Sequence, residues 1–239
     1  MEEIVSEVCH VLHQTTAFAK KRILITAGPT HGPVDAVRFL SNHSTGELGV
    51  LLAKRIYEAG GTPVLIYGPG TAVPQPYYRV ESVTTPQEMM EVLTSEIQTQ
   101  PYDAAIFSAA VLDHIPAHPV ASKLSSNDEL HIAFQKTPKL IREIDHVLKS
   151  RCENMTQKLY KIGFKLGVNQ SRDELLKTAE LAIEKMNVGL VVVNDLMEIN
   201  HHQHHAYLVD RTFRVREVFT KDELVGELIL HLKQKLNAL

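Results

Sequence analysis

The sequence predicts an α/β fold: a doubly wound, mostly parallel, Rossmann-like sheet with helices on both faces and a C-terminal β-hairpin extension. Three observations carry that expectation. Short apolar runs rich in β-branched residues alternate with longer stretches of helical periodicity. Several helical stretches open with capping sequences. One run, GLVVVND (189–195), is almost free of polar residues, which suits a strand covered on both faces. Strands joined through helices form right-handed crossovers, and hence a parallel sheet.

Along the chain, Ile4, Val5, Val8, Val11 and Leu12 recur with helical spacing. Residues 1–21 therefore read as a helical leader, with a poorly ordered leader as an alternative of equal weight. Residues 22–239 read as a single domain, because no linker divides them. RILITAG (22–28) is a strand ending in a Gly-Pro turn. From Glu47 onward, Leu48, Leu51, Leu52, Ile56 and Ala59 share a helical face that Gly60-Gly61 ends. TPVLIYG (62–68) is a strand, and the Pro-rich PGTAVPQP (69–76) is a loop. Thr85-Pro86-Gln87-Glu88 supplies a capping hydroxyl, a first-turn proline and an acid three residues after the cap. DAAIFSAAV (103–111) reads as a buried strand. Thr137-Pro138 starts a helix with Leu140, Ile141, Ile144, Val147 and Leu148 on one face. LYKIGFK (159–165) is a strand, and Ser171-Arg172-Asp173-Glu174 opens a helix to about Met186. AYLVD and FRVREVF form a hairpin. Thr220-Lys221-Asp222-Glu223 caps the last helix, whose apolar face is Val225, Leu228, Ile229, Leu232 and Leu236.

The chain has 239 residues, enough for a core without disulfide staples. Its 44% hydrophobic and 22% charged residues exclude disordered, collagen-like and coiled-coil classes. Cys9 and Cys152 form no recognisable motif and read as structural or incidental. Two cysteines make no disulfide framework, which favours a reducing compartment, with the cytoplasm as the default. The net charge of −3 lacks a basic footprint for nucleic acid. No apolar run approaches the roughly 20 residues of a membrane span, and the acidic N-terminus does not read as a signal peptide.

In open α/β sheets a ligand sits beyond the carboxyl ends of the strands, and four loops there carry polar residues. The first runs from Gly28 through Arg38, Asn42, Ser44 and Thr45 to Gly49. Glycines admit a close phosphate, the helix start offers free N–H groups, and Arg38 suits an oxyanion. An ordinary strand–loop–helix turn fits the composition equally well. Some eighteen residues between strand and helix, against the usual two to six, tip the balance toward function. The second is Ser108-Ala109-Ala110-Val111-Leu112-Asp113. Its small residues let a flat ring approach, and Asp113 could hold a cation or serve as a cap. The third is Lys123 in a Ser-rich stretch, either a flap charge for a phosphoryl transition state or a solvated lysine. The fourth, His201-His202-Gln203-His204-His205, reads as a polar loop ahead of metal binding.

These residues carry a family resemblance. ILITAGPT…VDAVRFLSNHSTGELG (23–49) resembles the opening of the phosphopantothenate–cysteine ligase family, with its N-x-S-[ST]-G element. AAVLD, KLSSNDEL, KTPKLI, IGFKL and VVVNDL follow in the family's order, so the resemblance runs from about Arg22 to the C-terminus. It is the stand-alone bacterial form that the chain resembles.

The resemblance implies a reaction joining 4′-phosphopantothenate to the amine of cysteine, a step of coenzyme A biosynthesis. An acyl-nucleotide forms with loss of pyrophosphate, and CTP stands ahead of ATP as co-substrate, with Mg²⁺. By the same resemblance, Asn42, Arg38 and Ala110 meet the activated substrate, and Lys123 stabilises charge in the activation step. Gly28, Ser108, Ala109, Ala110, Asp113, Lys123, Pro138, Lys139, Leu140, Ile141, Phe164 and Lys185 attend the nucleotide, with Asp113 toward the metal. A homodimer, with the hairpin at its interface, and a separate flavin-dependent decarboxylase acting next are the implied partners. The competing readings are an NAD(P)-dependent oxidoreductase, a non-catalytic nucleotide-binding module and a flavin-binding decarboxylase. Against the first, the G-x-G-x-x-G fingerprint is missing.

Overall fold

The computed structural model describes residues 2–13, 18–125, 129–151, 159–200 and 203–237. The strands are β1 (Arg22–Ala27), β2 (His31–Pro33), β3 (Phe39–Ser41), β4 (Thr62–Tyr67), β5 (Arg79–Ser82), β6 (Ala104–Phe107), β7 (His114–Pro116), β8 (Phe134–Lys136), β9 (Tyr160–Gly167), β10 (Leu190–Ile199), β11 (His204–Asp210) and β12 (Val215–Val218). The helices are α1 (Glu2–Leu12), α2 (Glu47–Glu58), α3 (Pro86–Thr99), α4 (Leu140–Arg151), α5 (Arg172–Met186) and α6 (Lys221–Asn237).

Eight strands form one sheet in the order β12-β11-β10-β9-β6-β1-β4-β5. The six from β10 to β5 are parallel, and β11 and β12 add antiparallel at one edge. The sequence therefore predicts the architecture correctly. The period of two along β1 sorts its side chains between two layers. Ile23, Ile25 and Ala27 pack with Leu52 and Ile56 of α2 and Leu228 and Leu232 of α6. Leu24 faces the other way, with Met89 and Leu93 of α3 and Ile144 of α4. Val191 and Val193 meet Leu175, Ala179 and Ile183 of α5. Val191, Val192 and Val193 are all completely buried, the reason this run carries no polar residue.

Three predicted caps are present. Thr85 Oγ1 accepts from Glu88 N at 3.1 Å, Ser171 and Glu174 form a reciprocal box, and Thr220 Oγ1 accepts from Glu223 N at 3.2 Å. Thr137 behaves differently. Helix α4 starts only at Leu140, and the Thr137 hydroxyl donates to the carbonyl of Leu112. Edge strand β5 is too short and too polar to announce itself in sequence, and β10 runs four residues beyond its apolar stretch. Residues 204 and 205 of the histidine run lie on β11 rather than in a loop. His201, His202 and Cys152 fall outside the described residues.

The N-terminal segment folds as a helix, but its apolar stripe faces outward. Ile4, Val5, Val8, Val11 and Leu12 are all more than half exposed. The polar side docks instead: Ser6 Oγ donates to Glu58 Oε1 at 2.9 Å, and Tyr57 OH to Glu7 Oε1 at 2.9 Å. Phe18, within the segment read as a leader, is completely buried in the core with α2 and α6.

Candidate active site at the switch point

The sheet grows to both sides of β1, so the loops leaving β1 and β6 diverge and open a crevice at their carboxyl ends. Gly28 sits there with φ of +78°, which a side chain would disfavour. A Cβ on it would also lie 2.7 Å from the carbonyl oxygen of Gly68. The Gly28 carbonyl accepts from the N–H of Ala110 at 2.9 Å, joining the two loops.

The long loop after β1 is ordered by its own pairing. Strands β2 and β3 form a small antiparallel ladder, and His31 stacks on Phe39 at 3.7 Å. The ladder delivers Asn42 to the crevice, where its Nδ2 donates to the carbonyl of Ala110 at 3.0 Å. Arg38 lies in the turn between β2 and β3, held by Asp35, and its Nη2 donates to the carbonyl of Leu124 at 3.2 Å. The exposed Lys123 is the next residue back along the chain. Arg38, Asn42, Ala110 and Lys123, predicted from segments up to 85 residues apart, thus belong to one neighbourhood.

Helix α2 aims its N-terminus at the same crevice. It lies close to β1 because Gly49 has no side chain: a Cβ there would stand 2.2 Å from the Ala27 Cβ and 3.1 Å from Ser108 Oγ. Gly46, also left-handed at φ +78°, makes no side-chain cap. First-turn N–H groups lack intrahelical partners, and the positive dipole end favours an anion.

A second group gathers beyond β6 and β9. Asp113 pairs with Lys139, and the Thr137 N–H donates to the Asp113 carbonyl at 3.0 Å. Lys165 was missed in sequence. Burial, and then the charges of Lys139, Lys185 and Arg142, lower its pKa, while Asp113 opposes them. Lys165 is thus acted on by three further cations, with Asp113 opposing them, and a polyanion would relieve the repulsion. Alternation along β9 is the signal that could have found Lys165, since it places Lys165 and Phe164 on opposite faces.

Three expected nucleotide contacts are placed otherwise. Leu140 and Ile141 are 8% exposed and belong to the core, so that turn offers backbone rather than side chains. Phe164 packs on the α2–α6 side of the sheet, whereas α4, which Lys139 precedes, and α5, which carries Lys185, pack on the other side. Asp195, of the VVVNDL element, accepts from Gln170 N and Met197 N at 2.7 and 2.9 Å and ties loops together. His205 sits between Glu198 and Glu217, 2.7 Å from each. No group of three or more such side chains placed to hold a metal ion occurs among the described residues. A magnesium ion fits here only if the ligand brings most of its oxygens, with Asp113 as one protein carboxylate. No described helix is long and apolar enough to cross a membrane.

Sheet order and crevice define a doubly wound α/β protein with an open cleft at the switch point. A sequence profile of the family described as the DNA/pantothenate metabolism flavoprotein C-terminal domain matches residues 18–236, and the chain belongs to that family. It is 31% identical over 229 residues to the coenzyme A biosynthesis bifunctional protein CoaBC of Thermococcus kodakarensis, covering 95% of this chain and 54% of that one. The chain thus spans about half the length of the curated relatives it matches. Among solved structures it superimposes on the DNA/pantothenate metabolism flavoprotein from Streptococcus pneumoniae with a TM-score of 0.79 at 26% identity, covering 90% of this chain and 99% of that one. The C-terminal domain of a CoaBC protein gives 0.74 at 25% identity, over 93% and 99% of the two chains.

Proposed function

We propose that the chain is a phosphopantothenate–cysteine ligase acting in coenzyme A biosynthesis. The observation that carries this reading is the convergence of Arg38, Asn42 and Ala110, with Lys123 beside them, next to the cation cluster of Lys139, Lys165 and Lys185. An acid substrate and a triphosphate would then lie side by side. Family membership and the CoaBC relative support the same reading.

In the first step a carboxylate oxygen of 4′-phosphopantothenate attacks the α-phosphorus of the nucleotide. Pyrophosphate leaves, and an acyl-nucleotide remains. In the second the cysteine amine attacks the acyl carbon, the amide forms, and nucleoside monophosphate departs while the amine loses a proton. Arg38 and Asn42 hold the acyl portion. Lys123 stabilises the charge developing on the transferring phosphoryl group, and the lysine cluster holds the trailing phosphates. CTP stands ahead of ATP, and Mg²⁺ enters on the triphosphate. We assign the cytoplasm as location and the β11–β12 edge, where Phe213 and Phe219 are half exposed, as the homodimer face. A flavin-dependent decarboxylase would take the product.

The test is incubation with Mg²⁺, 4′-phosphopantothenate and cysteine, with CTP and ATP in parallel. Pyrophosphate and a product of the amide's mass, dependent on both substrates, are expected with CTP. Product with ATP alone would reverse the nucleotide assignment, and no pyrophosphate from folded protein with either would sink the ligase reading.

A further inference from the structure

Asp35 has a completely buried side chain, although it occupies a turn beside the crevice. Its Oδ1 accepts from Val37 N at 2.8 Å and Arg38 N at 2.7 Å, an ordinary Asx turn. The turn needs nothing of Oδ2. That oxygen nonetheless accepts from Arg38 Nε at 2.9 Å and Nη2 at 2.5 Å, and from Leu124 N at 3.1 Å. Arg38 Nη2 in turn donates to the Leu124 carbonyl. Both polar groups of Leu124 are therefore held by one ion pair, 86 to 89 residues away in sequence. The same stretch is tied again by Val120 N, which donates to the Val34 carbonyl at 3.1 Å. Lys123 leaves the chain between these two attachments.

We infer that Asp35 is a positioning residue: with Arg38 it clamps the Leu124 backbone and so sets where Lys123 stands in the crevice. The inference rests on the ligase reading for the role of Lys123, but the clamp is a property of the chain alone. The Asp35 carboxyl is held far below the usual carboxylate range, chiefly by Arg38, so the clamp stays charged at any working pH. Nothing in the signature VDAVR announces this beyond the Asp–Arg spacing of three.

The test combines kinetics with hydrogen exchange. Asp35→Asn keeps the Oδ1 acceptor of the turn but sets an amide, itself a donor, against Leu124 N and Arg38. Its kcat for pyrophosphate release should fall by roughly ten- to a hundredfold, the scale of about an ångström's misplacement, with the nucleotide KM little changed. In a Lys123→Ala background the same substitution should cost less than about threefold in kcat, because its kcat effect runs through Lys123, while loosening of Arg38 shows in the phosphopantothenate KM. The Leu124 amide should exchange at least tenfold faster in Asp35→Asn, with α2 unaffected. Additive kinetic losses, or unchanged exchange at Leu124, would overturn the inference. If wild-type protein releases no pyrophosphate, the ligase reading falls, and exchange at Leu124 still decides the clamp. Should Asp35→Asn not fold, Arg38→Lys carries the exchange test, since an ammonium has no fork to span Asp35 and the Leu124 carbonyl.

Discussion

Two lysines divide the proposed chemistry at the level of single side chains. Lys123 is exposed and adjoins Leu124, whose N–H donates to Asp35. Lys123→Ala should lower kcat by about 10²–10³ with the phosphopantothenate KM within a few-fold, the pattern of a charge used in the transition state. Steady-state pyrophosphate assays read both constants. Lys165 is half-buried among cations, and its pKa is lowered for that reason. It loses its charge sooner than an ordinary lysine as pH rises. Nucleotide affinity should therefore weaken on the alkaline side first. Lys165→Met should raise the nucleotide KM and abolish that alkaline limb, and a limb unchanged in Lys165→Met would remove Lys165 from the nucleotide site.

Elements matter where they touch. Helix α2 can aim at the crevice only because Gly49 lets it lie against Ala27. Gly49→Ala should destabilise the fold by about 1–3 kcal/mol through overpacking, seen as a lower urea midpoint with unchanged slope. Helix α6 is joined to β9 by Tyr160 OH and His231 Nε2, 2.6 Å apart. Burial, helped by Lys235, pushes the His231 pKa down to about 4. The unfolded chain binds this proton near pH 6.5, and the folded one resists it until about 4. Below 6.5 the unfolded state holds more protons, so stability is full above 6.5 and falls as pH drops toward 4. Urea midpoints measured across that window should decline in the wild type, and His231→Gln should flatten the decline.

Taken whole, the molecule is one eight-stranded sheet with helices on both faces and a further helix, α1, attached outside α2. Helix α1 is fastened by polar contacts to α2, while Phe18 belongs to the core. Deleting residues 1–13 should therefore leave one cooperative unfolding transition, lowered by about 1–2 kcal/mol for the lost hydrogen bonds. A broad or two-step melt would show that α1 does more. Ligand binding gives a second measure of the assembled site. Nucleotide at a hundred times its dissociation constant should raise stability by about 2.7 kcal/mol, provided it binds the folded state alone.

Periodicity and caps were legible because they are local. The apolar alternation of RILITAG, the unbroken GLVVVND and the boxes at Thr85, Ser171 and Thr220 each state their element within a few residues. The order of strands follows, because a chain of β–α–β units has few ways to wind. Arg38, Asn42 and Lys123 were legible through resemblance, as residue types in a familiar pattern. What lay beyond reach was whatever depends on partners distant in sequence. Thr137 looked like a cap and holds Leu112 instead. Leu140 and Ile141 read as an apolar helix face by spacing and as nucleotide contacts by resemblance; they are core, Leu140 with residues of β1, β4 and β6 and Ile141 with residues of β10 and β11. Lys165 looked like an ordinary strand residue until α4 and α5 brought other cations beside it. Asp35 carries no signal of its role in the sequence, because Leu124 comes to it from 89 positions away. Local pattern settles which elements form, since backbone hydrogen bonding and apolar spacing are short-range. Charge pairing and side-chain role wait on packing, because only the assembled fold determines which groups share a space.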